Sequence, residues 1–117
     1  MVVRFVDEAA AELHQLPAAE QAAIRNAVEK LRAIGPALAF PHQSNVAGAS
    51  QLRELRPRAG RSPWRALYRR IGEVFVVGAI APEATVDRQG FNRAVNAAEI
   101  RLVKYAEQEQ QQEWNEQ

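Results

Sequence analysis

The sequence predicts one α+β domain with the element order β-α-α-β-β-β-α. Apolar residues recur at helical spacing near both ends, and three strand-like runs separated by short turns fill the middle. The chain's 117 residues, 47% of them hydrophobic, suit one domain with one core. Consecutive strands with short turns imply a small antiparallel sheet. The first two helices then form a hairpin on one face, and a last helix follows.

Val2 to Val6 is a β-type run. Asp7 is the expected N-cap of the first helix, where Asp7, Glu8 and Glu12 lie near the positive end of its dipole. Ala9, Leu13 and Leu16 keep the helical period, and Pro17 suits the start of a second helix. Ile24, Ala27, Val28 and Leu31 form that helix's inner stripe, and Gly35-Pro36 ends it. Residues 36–50 read as a loop with at most one helical turn.

Strands follow at Leu52–Arg56, Trp64–Arg70 and Val74–Ile80, the last a continuous apolar run of the kind buried on both faces. Pro57 to Pro63 is a breaker-rich turn. Pro82 to Gly90 is a loop, and Val95, Ala98, Leu102 and Tyr105 stripe a final helix. Residues 1–106 are expected to form the domain. The glutamine- and glutamate-rich 107–117 is expected to be a polar tail, either a helix extension or disordered.

The charge is strongly localised. Fifteen basic and fourteen acidic residues leave +1 overall, yet the window 51–70 alone carries +6. It holds Arg53, Arg56, Arg58, Arg61, Arg65, Arg69 and Arg70 against Glu54. Guanidinium forks match phosphate oxygens, so this window points to nucleic acid, RNA first. A basic hairpin that only guards a sheet edge against aggregation is the plainer alternative.

There is no cysteine, which excludes disulfides and thiol chemistry, and two histidines are too few for most metal sites. No apolar run approaches the ~20 residues of a membrane span. The N-terminus lacks the basic start of a signal peptide, so a cytoplasmic protein is the expectation.

The block LRELRPRAGRSPWRALYRRIGEVFVVGAI, together with the opening strand, the helical hairpin ending in Gly35-Pro36 and the segment from Phe91 to Val95, resembles the RelE/ParE superfamily of bacterial toxin–antitoxin toxins. Within it, the resemblance is to the HigB or phage Gp49-like branch. It implies a RelE-like fold and the toxin of a type II toxin–antitoxin system. The activity implied is that of an mRNA interferase: a metal-free, ribosome-dependent mRNA endonuclease that stops translation and growth and uses no cofactor. The implied partners are a cognate antitoxin, a helix-turn-helix protein among the alternatives, and messenger and ribosomal RNA at the A site. The ParE branch instead poisons DNA gyrase, so a non-hydrolytic member of the fold is the second reading.

Such a cut needs a base for the 2′-hydroxyl, positive charge on the phosphorane and an acid for the leaving 5′-oxygen. The resemblance puts Arg65 on the scissile phosphate and Arg56 at the basic end of the preceding strand. Arg53, Arg58, Arg61, Arg69 and Arg88 are candidate backbone contacts, and Trp64 either stacks a base or packs on the last helix. The base is open. Some relatives place a tyrosine where this chain has Phe91, and many carry a Lys-Lys pair where it reads Ile80-Ala81-Pro82-Glu83. Glu54, Tyr68, Asp87 and His42 remain as candidates, with Glu54 and Asp87 level. Glu54 also reads as a surface ion-pair partner, Tyr68 as a core residue and His42 as an exposed loop residue without a role.

Overall fold

The structure, a computed structural model, describes residues 1–115. It contains strand β1 (Val2–Phe5), helices α1 (Asp7–His14) and α2 (Ala18–Ile34), then strands β2 (Gln43–Asn45), β3 (Arg53–Leu55), β4 (Trp64–Ile71) and β5 (Val74–Pro82), and helix α3 (Arg88–Asn115). The predicted α+β class and its order hold, with one strand added. Positions 116 and 117 of the expected tail lie outside the described residues.

The five strands form one sheet in the order β1-β5-β4-β3-β2. β2 to β5 pair antiparallel, as the short turns require. β1 differs from the antiparallel expectation: it runs parallel to β5, pairing Val2 with Val74 and Phe5 with Val77. A parallel neighbour needs a long crossover, which the α1–α2 hairpin and the rest of the sheet supply. β2 lies where a loop was expected. Its Gln-Ser-Asn sequence has little β-propensity, but an edge strand with no apolar face needs only backbone partners, and β3 provides them.

Phe75 to Ala81 is buried at every position, so β5 is covered on both faces as its apolar run predicted. In α2 the buried positions include the expected Ile24, Ala27, Val28 and Leu31. In α3 Ala98 and Leu102 are buried, with Val95 and Tyr105 packed against the same core. Leu67 pairs with Ala79 and Tyr68 with Val77, so Gly78 has no partner across the ladder and forms a bulge. A Cβ there would lie 2.8 Å from Leu102 Cγ, which shows how closely α3 sits on the sheet.

Two helix starts differ in detail from expectation. Val6, not Asp7, is the N-cap of α1, and Asp7 is the first helical residue. The carboxylate still sits in the first turn, where the helix dipole favours it. α3 begins at Arg88, before Phe91, because Asp87 caps it: Asp87 Oδ1 accepts the Gly90 N–H at 2.9 Å.

Beyond Phe5 the flank of β5 has lost its β1 partner. Glu12 on α1 takes over there. Its Oε1 accepts the Ile80 N–H at 3.1 Å, while Arg101 on α3 donates to the Gly78 carbonyl and to both Glu12 oxygens. The pair closes the open edge and joins both helices to the sheet.

Candidate functional site

The basic window does not form one continuous coat. Side chains alternate along β4, so Arg69 and Arg70 leave on opposite faces. Arg69 binds Glu99 on α3 and the Ser50 carbonyl, both at 2.8 Å. Arg70 stays at the β4–β5 tip, bonded to the Gly72 carbonyl and 3.8 Å from Glu73. Arg53 is exposed on β3 and donates to Gln43 on β2 at 3.3 Å. Arg88 is exposed in the first turn of α3.

Arg65 is the residue whose placement departs most from expectation. Its side chain is 1% exposed. Nη1 donates to the carbonyls of Ser62 (2.6 Å) and Trp64 (2.9 Å), and Nη2 to that of Gly60 (3.2 Å). Glu83 lies 3.3 Å from Nη2 and Glu54 3.8 Å from Nε. Burial pulls its pKa down from the ordinary arginine value and Arg56 adds to that, while Glu83 and Glu54 oppose. Its donors are spent on the turn between β3 and β4, so in this conformation the guanidinium is a brace for that turn rather than an open phosphate contact.

The turn needs a brace. Arg58 and Ala59 are left-handed, at φ 54° and 55°, and Gly60 follows at φ 93°. Each non-glycine residue held there costs about 1–2 kcal/mol. Two side chains hold it from outside: Arg65 from β4 and Glu20 from α2. Glu20 accepts from Arg58 through Oε1 and from Ser62 Oγ at 2.8 Å through Oε2. Arg58 keeps the Glu20 carboxyl below its usual range, burial opposes this, and Ser62 adds to the lowering. Arg61 Nε donates to the Arg58 carbonyl at 3.0 Å, and among the described residues it has no carboxylate partner.

Between α2 and this turn lies a groove of about 490 Å³. Ala19, Ala22, Ala23 and Ala27 make one small-residue wall, Leu38 and Leu55 line it further, and Lys30, His42, Arg56 and Arg58 supply its charged and titratable lining. Among the described residues no carboxylate lines it. Arg56 is set from several sides. Nη1 donates to Glu54 Oε1 at 2.9 Å, Nε to the Pro41 carbonyl at 3.1 Å, and the guanidinium lies 5.2 Å from the centroid of the exposed Phe40 ring. The Arg56 N–H also donates to the His42 carbonyl at 2.8 Å, which ties that loop residue beside it.

The candidate bases therefore separate. Glu54 is 14% exposed and accepts from Arg56 and from Ser44 Oγ, so the ion-pair geometry is present. Asp87 is exposed and serves as the α3 cap. Tyr68 is 2% exposed and stacks edge-on against Phe75, and burial pushes its phenol up to about 12. Phe91 is buried. Trp64 is half-buried on β4, opposite Pro82. His42, a candidate for the base read more readily as an idle loop residue, lines the groove.

Sequence reasoning overlooked Lys30 and Glu20. The helical period placing residues 19, 22, 23, 26, 27 and 30 on one face of α2 was the signal for Lys30. Glu20 carried none, because its partners lie 38 and 42 residues away. Among the described residues no three His, Asp or Glu side chains gather as a metal site requires, and no helix is long and apolar enough to cross a membrane.

Two solved structures share this architecture. A chain of the toxin–antitoxin complex RelBE2 from Mycobacterium tuberculosis superposes with a TM-score of 0.54 at 22% identity, over 70% of this chain and 96% of that one. A chain of the intact RelBE toxin–antitoxin complex of E. coli gives 0.55 at 18% identity, over 71% and 95%. At such identities the likeness is one of fold. No curated protein is similar enough in sequence to count as a match. The sequence itself matches the family described as phage derived protein Gp49-like over residues 11–77, more than half the chain, so this RelE-fold protein belongs to that family.

Proposed function

We propose that this protein is the toxin of a toxin–antitoxin pair and that it cuts messenger RNA at the ribosome. The observation that carries the reading is the groove beside the strained turn, whose charged lining is basic throughout. The fold supports the toxin role, since the two solved chains compared above come from toxin–antitoxin complexes.

In this reading the phosphodiester lies across Arg56 and Arg58, which offset the charge that grows on the phosphorane. Imidazole is the commonest group for moving the proton of an attacking hydroxyl, and the His42 carbonyl accepts the Arg56 N–H. The 2′-oxygen bonds to phosphorus as the bond to the 5′-oxygen breaks, and the leaving oxygen takes its proton from water. Glu54 orients Arg56 from behind. Arg61, Arg53 and Lys30 extend the backbone contacts, and Trp64 is available for stacking. A cognate antitoxin with an acidic segment is the expected protein partner, and the cytoplasm the expected compartment.

Inducing the protein in a susceptible cell and mapping RNA ends tests this. New ends inside translated codons, with growth arrest, are expected. His42→Ala should lower cleavage about 10²-fold, the usual contribution of a proton-transferring side chain. Arrest with intact RNA overturns the reading.

One observation favours a second reading. The arginine matched to the scissile phosphate is enclosed and Phe91 has no hydroxyl, as in a relative of this fold that binds without cutting. A DNA-damage response with uncut RNA would mark a gyrase inhibitor.

A further inference from the structure

We infer that Glu20 occupies, in the free protein, an anion seat made by Arg58 and Ser62, and that a backbone phosphate takes this seat by displacing it. The inference rests on the nucleic-acid reading above and deepens it: Arg58 belongs to the proposed cutting machinery, while Glu20 and Ser62 lie outside it.

The Glu20 carboxylate bridges two donors from one turn. One oxygen accepts from the Arg58 guanidinium and the other from the Ser62 hydroxyl. A guanidinium and a hydroxyl set side by side are what two non-bridging oxygens of a phosphodiester would accept from. Ser62 is fully buried, and its hydroxyl bonds Glu20, whose side chain is 15% exposed. Arg58 is the more exposed of the two groove arginines, with 42% of its side chain open against 20% for Arg56. It is therefore the first that an incoming polyanion meets.

The seat also lies at the first turn of the 17-residue α2, whose dipole favours negative charge there. The turn presents Arg58 from a left-handed backbone that Arg65 holds through Gly60 and Ser62 independently of Glu20. Displacing the carboxylate therefore leaves the donors in place. The ligand class is a phosphate oxygen pair of a nucleic-acid backbone. Glu20 acts as an internal competitor that weakens unspecific capture.

Glu20→Gln tests this, because the amide keeps the size and can still accept a hydrogen bond while losing the charge. Glu29→Gln is the charge-matched control, on the same helix but paired with Arg32. Binding of a short single-stranded RNA is measured by fluorescence anisotropy, and binding of inorganic tripolyphosphate by titration calorimetry, which reads every variant alike. Glu20→Gln should tighten both by roughly fivefold, the equivalent of one ion pair. Glu29→Gln should do so by much less, and Arg58→Ala should abolish the gain in the double variant.

Three results overturn the seat: no tightening for either probe, equal tightening in the control, or a gain that survives Arg58→Ala. If tripolyphosphate binds more tightly to Glu20→Gln while RNA binds to neither protein, the seat stands and the nucleic-acid reading falls. If RNA binds the wild type and Glu20→Gln changes nothing, the reading stands and the seat falls.

Discussion

Arg65 shows how one residue type serves two ends. A buried guanidinium is tolerated only when its donors are used, and here three carbonyls and two nearby carboxylates surround it. Arg65→Ala should lower unfolding free energy by about 3 kcal/mol, because it strands those carbonyls and leaves a cavity. Arg65→Lys should recover only part of this, since a single ammonium cannot span the same carbonyls. Urea denaturation midpoints measure both, and an alanine variant as stable as wild type would contradict the bracing role. Tyr68 sits at the opposite extreme. Its phenol titrates at about 12 because it is buried, so it gives up no proton near neutrality. Tyr68→Phe should leave RNA cleavage within about twofold of wild type, as read from RNA ends after induction.

At the scale of elements, contacts between segments far apart in sequence decide the geometry. Glu20 ties α2 to the turn after β3, and its pKa lies below the ordinary 4.5 in the folded state. A depressed carboxyl stabilises the fold above its unfolded pKa. That contribution is present at neutral pH and is lost as the pH falls below 4.5 through the folded value. Glu20→Gln should therefore lose less stability than wild type between neutrality and this acid range, as read by denaturant midpoints across pH. Parallel curves would show that the contact contributes nothing. Gly78 is the element-scale counterpart in the core. Gly78→Ala puts a methyl against Leu102 and Ala98, and the expected cost is about 1–3 kcal/mol with a lowered Tm. Gly60→Ala fails for a different reason: φ is 93° there, and the added Cβ meets the Arg56 guanidinium.

Over the whole molecule, the distribution of charge matters more than its sum. Five of the seven arginines in the basic window lie within ion-pair distance of carboxylates: Arg56 of Glu54 inside the window, and Arg58, Arg65, Arg69 and Arg70 of carboxylates outside it. The polyanion surface is then the groove lining and its neighbours, Lys30, Arg53, Arg56, Arg58 and Arg61. Five phosphate contacts give a log–log salt slope of about −3.5 for single-stranded RNA, and eight, with Arg65, Arg69 and Arg70 added, would give about −5.6. Titrations across a range of salt distinguish them, and the steeper slope would mean that Arg65, Arg69 and Arg70 open on binding.

Much of the architecture was legible in the sequence, because periodicity reports burial directly. Ile24, Ala27, Val28 and Leu31 had to face a core, and Val74 to Ile80 had to lie between two covered faces. The arginine concentration was legible too, but its meaning was not. Strand alternation and distant carboxylates sent Arg69 to α3 and Arg65 into the interior, and neither Glu99 nor Glu83 is adjacent in sequence. β2 was invisible for the same reason: its partners are backbone groups of β3, which leave no mark on side-chain pattern. Local composition thus determined which segments are helix, strand and basic turn, since those depend on neighbours within a few residues. Tertiary packing alone decided which guanidiniums stay open to a ligand, because desolvation and pairing depend on groups that the chain brings together only when folded.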